Sequence, residues 1–242
     1  MKKYLVIGNP IEHSLSPVIH NYWMKKYNLT DSVYEKRKVE VKDLKNIINE
    51  IRDENLAGIN VTVPFKKLII PFLDDLDSTA EETKSVNTIF KVNNKIVGFN
   101  TDKAGFALTI WDLYPVKDIG IINNLEKKTV FILGAGGVTA SIISAFQHDE
   151  TRIFLSNRTK ENANELKKNF PKLEILDWGQ RPSNFDIAIN TTSIGLEANE
   201  RISLDFSDCD KDKNKLFYDL IYNPKETNFL KEAKLRGNKI MN

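Results

Sequence analysis

The chain has 242 residues, 41% of them hydrophobic, which is enough for two buried cores of ordinary size. Its 35 basic and 33 acidic residues leave a net charge of +2, which argues against a nucleic-acid partner or a membrane surface. A single cysteine, Cys209, excludes an internal disulfide and a thiolate zinc site. No apolar run approaches the roughly 18 residues of a membrane span, and Met1 to Gly8 lacks the features of a signal peptide, so a soluble cytoplasmic protein is expected.

Tyr4 to Gly8 reads as a buried strand. Ser16-Pro17 reads as a helix start, with Ser16 as N-cap and proline at the first helical position, leading into Val18 to Tyr27. Val33 to Val39 alternates as a strand, and Val41, Leu44, Ile47, Ile48 and Ile51 recur at helical spacing up to Asp53. Gly58 to Val63 is a short apolar strand stopped by Pro64, and Thr88 to Gly98 reads as a hairpin around Asn93-Asn94. Asp102 to Leu113 is a connecting helix. From Thr129 the pattern restarts, with strands at 129–133, 152–156, 173–177, 186–191 and 216–221 and helices at 137–147, 160–169 and 227–237, the last capped by Thr227. The fold expected is α/β: an N-terminal α/β substrate lobe over residues 1–101, then a Rossmann-type doubly wound lobe over 102–237.

The strand 129–133 ends in Gly134-Ala135-Gly136-Gly137-Val138, a turn whose glycines allow close backbone approach to a dinucleotide pyrophosphate. Thr139 stands where the strict G-x-G-x-x-G pattern has its third glycine. The next strand ends in Asn157-Arg158-Thr159, with no acid to take the ribose hydroxyls. A guanidinium there suits a phosphate, so NADP is expected over NAD, with Arg158 as the main discriminator. The first half carries a separate polar set: Ser14, Ser16, Asn60, Thr62, Lys66, Asn87, Asn100 and Asp102. A nucleotide site in one half and a hydroxyl-reading set in the other suggest two reactants held face to face.

Ser14-Leu15-Ser16-Pro17 with His20-Asn21, Asn60-Val61-Thr62-Val63-Pro64-Phe65-Lys66, Val86-Asn87-Thr88 and Gly98-Phe99-Asn100-Thr101-Asp102 together resemble the shikimate dehydrogenase family. Gly134 to Gly137, Asn157-Arg158-Thr159, Asn190-Thr191-Thr192-Ser193-Ile194-Gly195 and Asp219 to Pro224 fit the same family in the same order. The resemblance implies an NADP-dependent, reversible hydride transfer between 3-dehydroshikimate and shikimate, a step towards chorismate and the aromatic amino acids. It implies that Ser14, Ser16, Thr62, Lys66, Asn87, Asp102 and Tyr222 bind the substrate, with Lys66 and Asp102 catalytic. It also places Gly134 to Val138, Asn157, Arg158, Thr159, Asn190, Thr191 and Ser193 at the cofactor. The protein would act as a monomer or homodimer on a small molecule.

The chemistry agrees with that assignment. A hydroxylated carboxylate needs short side chains that donate and accept. Ketone reduction needs a proton at the developing alkoxide, which Lys66 beside Asp102 can supply or polarise. Plainer readings stand beside these: helix capping for Ser16 and Asp102, turn roles for Asn87 and Asn100, strand propensity for Thr62, packing for Tyr222. Lys66 could be an ordinary first-turn lysine, although a cation at a helix start opposes the dipole. His13, His20 and His148 lack metal-ligand spacing and are expected to be structural. Residues 238–242 are expected to begin a segment that returns to the first lobe, where the family carries a further helix with a substrate-contacting glutamine. The alternatives are a quinate/shikimate dehydrogenase of relaxed specificity and a catalytically impaired NADP-binding fragment.

Overall fold

The computed structural model describes residues 1–114, 127–146, 150–211 and 214–242, so His148 lies outside the described residues. The chain divides into two compact units, Met1–Gly105 and Phe106–Asn242. The division falls a few residues later than the expected lobe boundary, inside a helix rather than ahead of it.

The first unit is built on a mixed six-stranded sheet in the order β2-β1-β3-β5-β6-β4. Its strands are β1 (Lys2–Gly8), β2 (Ser32–Lys38), β3 (Gly58–Val61), β4 (Asp75–Leu76), β5 (Thr88–Val92) and β6 (Lys95–Phe99). β1 runs parallel to both β2 and β3, whereas β5 is antiparallel to β3 and β6. Asn93 and Asn94 both take positive φ, 48° and 67°, as a two-residue hairpin turn matched to strand twist requires. One sheet face is covered by α2 (Leu44–Arg52), whose Leu44, Ile47, Ile48 and Ile51 are buried against Leu5, Ile7, Ile59 and Ile89. The expected helix from Val41 begins as a single 3-10 turn, Val41–Asp43, before α2 takes over.

Two local expectations are corrected. α1 (Ser16–Lys26) has Leu15, not Ser16, at its N-cap, because Leu15 already holds helix-like backbone angles. Ser16 is therefore inside the first turn, and its N–H donates to Ser14 Oγ at 3.3 Å. The segment after Pro64 is not a helix start but a run of turns. The Phe65 N–H donates to the Thr62 carbonyl and the Ile69 N–H to the Phe65 carbonyl, with Phe65 and Ile69 both buried. Lys66 thus sits between two anchored residues, and the dipole argument does not apply to it. α3 (Ser78–Thr83), capped by the Asp77 carboxylate, was not anticipated, since six residues with no apolar stripe leave no periodicity to read.

The second unit holds an all-parallel sheet in the order β12-β11-β10-β7-β8-β9. These are β7 (Thr129–Leu133), β8 (Arg152–Ser156), β9 (Glu174–Leu176), β10 (Ile187–Asn190), β11 (Leu216–Asp219) and β12 (Lys239–Met241). The order is the doubly wound one, reversing direction between β7 and β10. Both faces are covered, so β7 is apolar at every buried position: Val130 and Ile132 face one core, Phe131 and Leu133 the other. The first core takes Phe106 and Ile110 from α4 (Asp102–Leu113), residues of α5 (Thr139–Ala145), and Ala163 and Leu166 from α6 (Lys160–Asn169). The second is rich in aromatics, with Phe185, Phe206, Phe217 and Phe229 in edge-on or tilted contact.

Residues 239–241 form a further strand of this sheet. After α7 (Asn228–Leu235), Gly237 takes φ 79° and the chain folds back as β12, parallel to β11 at the sheet's edge. Ile240 and Met241 then pack on the two cores of this unit.

Among the described residues no helix is long and apolar enough to cross a membrane. Cys209 is buried, and burial, with Asp208 second, pushes its thiol up to about 11. The native protein is accordingly expected to resist iodoacetamide near neutral pH and to be alkylated only after unfolding. Rapid labelling of the folded chain, read by intact mass, would contradict this.

Candidate active site

In the first unit, three segments bring their polar groups to one place. The turn after β3 carries Lys66, held by its own carbonyl, which accepts the Val86 N–H at 2.8 Å. The start of β5 is preceded by Asn87, and the end of β6 leads into Asp102, the first residue of α4. Lys66 Nζ lies 2.6 Å from Asp102 Oδ2, with the two side chains 13% and 22% exposed. The other carboxylate oxygen, Oδ1, accepts from Asn87 Nδ2 at 2.8 Å. Asn87 Oδ1 in turn accepts the backbone N–H of Thr101 at 3.1 Å, which fixes the orientation of the amide.

Asp102 is therefore not a helix cap: both its oxygens are taken by Lys66 and Asn87. The capping role belongs to Asn100, whose Oδ1 accepts the Asp102 N–H at 3.0 Å while its Nδ2 donates to Thr83 Oγ1 and the Ser85 carbonyl. Asn100, 2% exposed, is structural. Ser14 and Ser16 are half-buried at the start of α1, and the Tyr34 hydroxyl donates to Asn60 Oδ1 at 2.6 Å. Thr62 is half-buried beside Gly8, where an added Cβ would come within 2.6 Å of the Thr62 methyl. A glycine at position 8 is thus what lets β1 end against the turn that carries Thr62 and Lys66. His20 stacks on Tyr34 with ring centroids 4.2 Å apart, and burial lowers its pKa.

In the second unit, two loops leave the carboxyl ends of β7 and β10, the strands flanking the reversal of order, where doubly wound sheets bind their ligands. Gly134 has φ 103°, and a Cβ there would strike the side chains of Thr191 and Thr192 at 2.8 Å, so only glycine fits. Gly136 is exposed, with only the Thr191 carbonyl, at 3.8 Å, near where its Cβ would stand. That leaves an open cradle suited to close approach by a pyrophosphate. Gly137 and Val138 are half-buried in the turn that enters α5. Thr139 explains the departure from the glycine pattern: wholly buried, its hydroxyl bonds the Gly134 carbonyl and Thr191 Oγ1, lacing turn to helix.

Asn157 ties β8 to the same turn, its Oδ1 accepting the Ala135 N–H at 3.0 Å and its Nδ2 donating to the Thr159 carbonyl. Arg158 and Thr159 are exposed. Among the described residues Arg158 has no acidic partner, so its guanidinium is available to an anion.

Asn190 and Thr191 both turn their side chains into the protein. Asn190 is wholly buried; its Nδ2 donates to Asp219 and the Ile194 carbonyl, and its Oδ1 accepts from Thr192. Thr191 Oγ1 donates to the Leu133 and Gly134 carbonyls. Their side chains are committed to bonds within the loop, whereas Ser193 is exposed. The buried Asp219 carboxyl, raised by burial, also accepts from Thr227 Oγ1 at 2.6 Å and the Ile221 N–H at 3.0 Å. Tyr222, 55% exposed, follows in the same loop. Thr101, Thr88 and Tyr34 join the polar network of the first unit without having been singled out in the sequence. A hydroxyl in or beside a strand carries no local sign of its partner.

A half-buried ammonium–carboxylate pair in one α/β unit, and a doubly wound unit with a glycine turn and an arginine without an acidic partner among the described residues, fit a nucleotide-dependent oxidoreductase. Residues 6–89 match the profile described as "Shikimate dehydrogenase substrate binding domain", and residues 119–229 that described as "Shikimate / quinate 5-dehydrogenase". The chain belongs to the shikimate dehydrogenase family. It is 50% identical over 237 residues to the shikimate dehydrogenase (NADP(+)) of Pelagibacter ubique, covering 98% of this chain and 85% of that one. The crystal structure of shikimate dehydrogenase from Aquifex aeolicus superposes with a TM-score of 0.87 at 36% identity, over 100% of this chain and 86% of that one. The Thermus thermophilus enzyme, solved with NADP(H) and shikimate, gives 0.82 at 28% identity, covering 99% and 86%.

Proposed function

We propose that this chain is a shikimate dehydrogenase, catalysing the reversible NADP-dependent interconversion of 3-dehydroshikimate and shikimate on the way to chorismate. The observation that carries the reading is the 2.6 Å Lys66–Asp102 pair with Asn87 on the second carboxylate oxygen, inside the unit that matches the substrate-binding profile.

The bound cofactor would supply the redox chemistry, a hydride from NADPH in reduction and its acceptance by NADP+ in oxidation. Lys66 meets the developing alkoxide with a hydrogen bond and positive charge, and delivers or receives the proton that balances the hydride. Asp102 keeps Lys66 aimed and, through its shared carboxylate, reads a substrate hydroxyl together with Asn87. Ser14, Ser16 and Thr62 supply short hydroxyl donors for the rest of the ring and its carboxylate, and Tyr222 contributes a phenol. On the nucleotide side, Gly134 to Val138 accept the pyrophosphate, while Arg158, supported by Asn157 and Thr159, takes the 2′-phosphate. Asn190 and Thr191 hold the loop that presents Ser193.

The second profile's description includes quinate, so the assay compares two acids. Purified protein is given NADP with shikimate or with quinate, and NADPH formation is followed. Turnover of shikimate with a kcat/KM at least roughly tenfold above that for quinate is expected, since one differing ring hydroxyl costs about this much or more. Equal use of both acids would point to the relaxed enzyme, and no NADPH from either would sink the reading.

A further inference from the structure

We propose that Thr88 and Tyr34 are positioning residues for the Lys66–Asp102 pair, acting through a one-way chain of hydrogen bonds that runs across the sheet from Tyr34 to Asp102. The inference rests on the dehydrogenase reading above.

The direction of the chain is dictated from its active end. Asn87 Oδ1 accepts a backbone N–H from Thr101, so Asn87 Nδ2 must be the group that faces Asp102. Thr88 Oγ1, 2.9 Å from Asn87 Oδ1, can then only donate to it. The Thr88 oxygen is left to accept, and Asn60 Nδ2 donates to it at 3.0 Å. Asn60 is itself oriented, because the same Nδ2 also meets the Asn87 carbonyl at 3.1 Å. Its Oδ1 therefore accepts, and the Tyr34 hydroxyl donates to it at 2.6 Å. Each link has its donor where the previous link needs an acceptor, from β2 through β3 and β5 to the head of α4.

The far end is anchored rather than floating. Tyr34 is 4% exposed, and its ring stacks on His20. Its backbone N–H and carbonyl are both clamped by the Asn21 side chain, at 3.0 and 2.7 Å. Burial raises its hydroxyl pKa, in keeping with a phenol that keeps its proton to donate. Alongside the chain lies a cavity of about 240 Å³ lined by Tyr34, Asn60 and Thr88 among others. Their hydrogen bonds to one another and to Asn87 fix the orientation of Asn60 and Thr88.

Four proteins test this with shikimate and NADP: wild type, Thr88→Val, Tyr34→Phe and the double variant, with Thr88→Ser as rescue. Thr88→Val and Tyr34→Phe are each expected to lower kcat roughly three- to tenfold, the worth of one internal hydrogen bond, with KM for NADP unchanged. Thr88→Ser should restore kcat to within about twofold. Because both lesions break one chain, the double variant should lose little more than the worse single one, whereas independent lesions would multiply. Losses that multiply, a serine variant as slow as the valine one, or either single variant at wild-type kcat would overturn the proposal. If Thr88→Val fails to fold, by its thermal transition, Tyr34→Phe and Thr88→Ser still decide it. A wild type that makes no NADPH from shikimate would instead refute the dehydrogenase reading itself.

Discussion

Lys66→Ala is expected to lower kcat for shikimate oxidation by about 10²–10⁴-fold, the usual share of one positioned acid–base group. Lys66 Nζ is held at 2.6 Å from Asp102 and is mostly screened from solvent, so its charge acts where little water competes with it. The alanine variant keeps the turn, because Phe65 and Ile69 are its buried anchors and the Val86 strap uses the backbone of residue 66. kcat and kcat/KM should therefore fall together, as for an interaction made in the transition state alone. A variant that raised KM and left kcat intact would show that Lys66 only binds. Lys66→Arg should remain slow, since a planar fork does not reproduce a compact ammonium. Steady-state kinetics on the three proteins, with NADP binding measured separately, make the check.

The second large effect is expected at Arg158. It is exposed at the end of β8 and has no acidic partner among the described residues, while its neighbour Asn157 is committed to the glycine turn. Arg158→Ala should raise KM for NADP roughly 10- to 100-fold, in line with about 1.5–3 kcal/mol for hydrogen bonds to a charged group. KM for NAD should barely move, because that cofactor lacks the 2′-phosphate, and kcat at saturating NADP should hold. If the ratio of NADP to NAD use stayed at the wild-type value, the phosphate would be bound elsewhere.

Much of the second sheet was readable because its central strands β7, β10 and β11 are apolar runs buried on two faces. β7, β8, α4 and α6 fall on the expected residues. The first unit was less legible where structure is made by single contacts. β4 is two residues long, α3 is announced only by its Asp77 cap, and the segment of Lys66 looks helical until its turns are seen. The motif residues were visible, but not which way they face. Asn190 and Thr191 lie in a recognisable loop, yet their side chains are spent on Asp219, Leu133 and Gly134. Asp102 resembled a cap because it opens a helix, but Asn100, two residues earlier, does that work. Partners distant in sequence decided each case, and a local pattern does not carry them.

The sheet topology also orders events during synthesis. Every strand of the first sheet lies between residues 2 and 99, and the unit is closed by Gly105. The second sheet instead has β7 and β10 at its middle and β11 and β12 towards one edge, so its completion waits for residues 187–241. On a ribosome that emits the chain from the N-terminus, the unit holding Lys66, Asn87 and Asp102 can therefore fold before β7 exists. The nascent protein would carry a finished acid-binding half while its nucleotide half was still unfolded chain. Most of the risk of aggregation in transit then falls on the late-closing parallel strands.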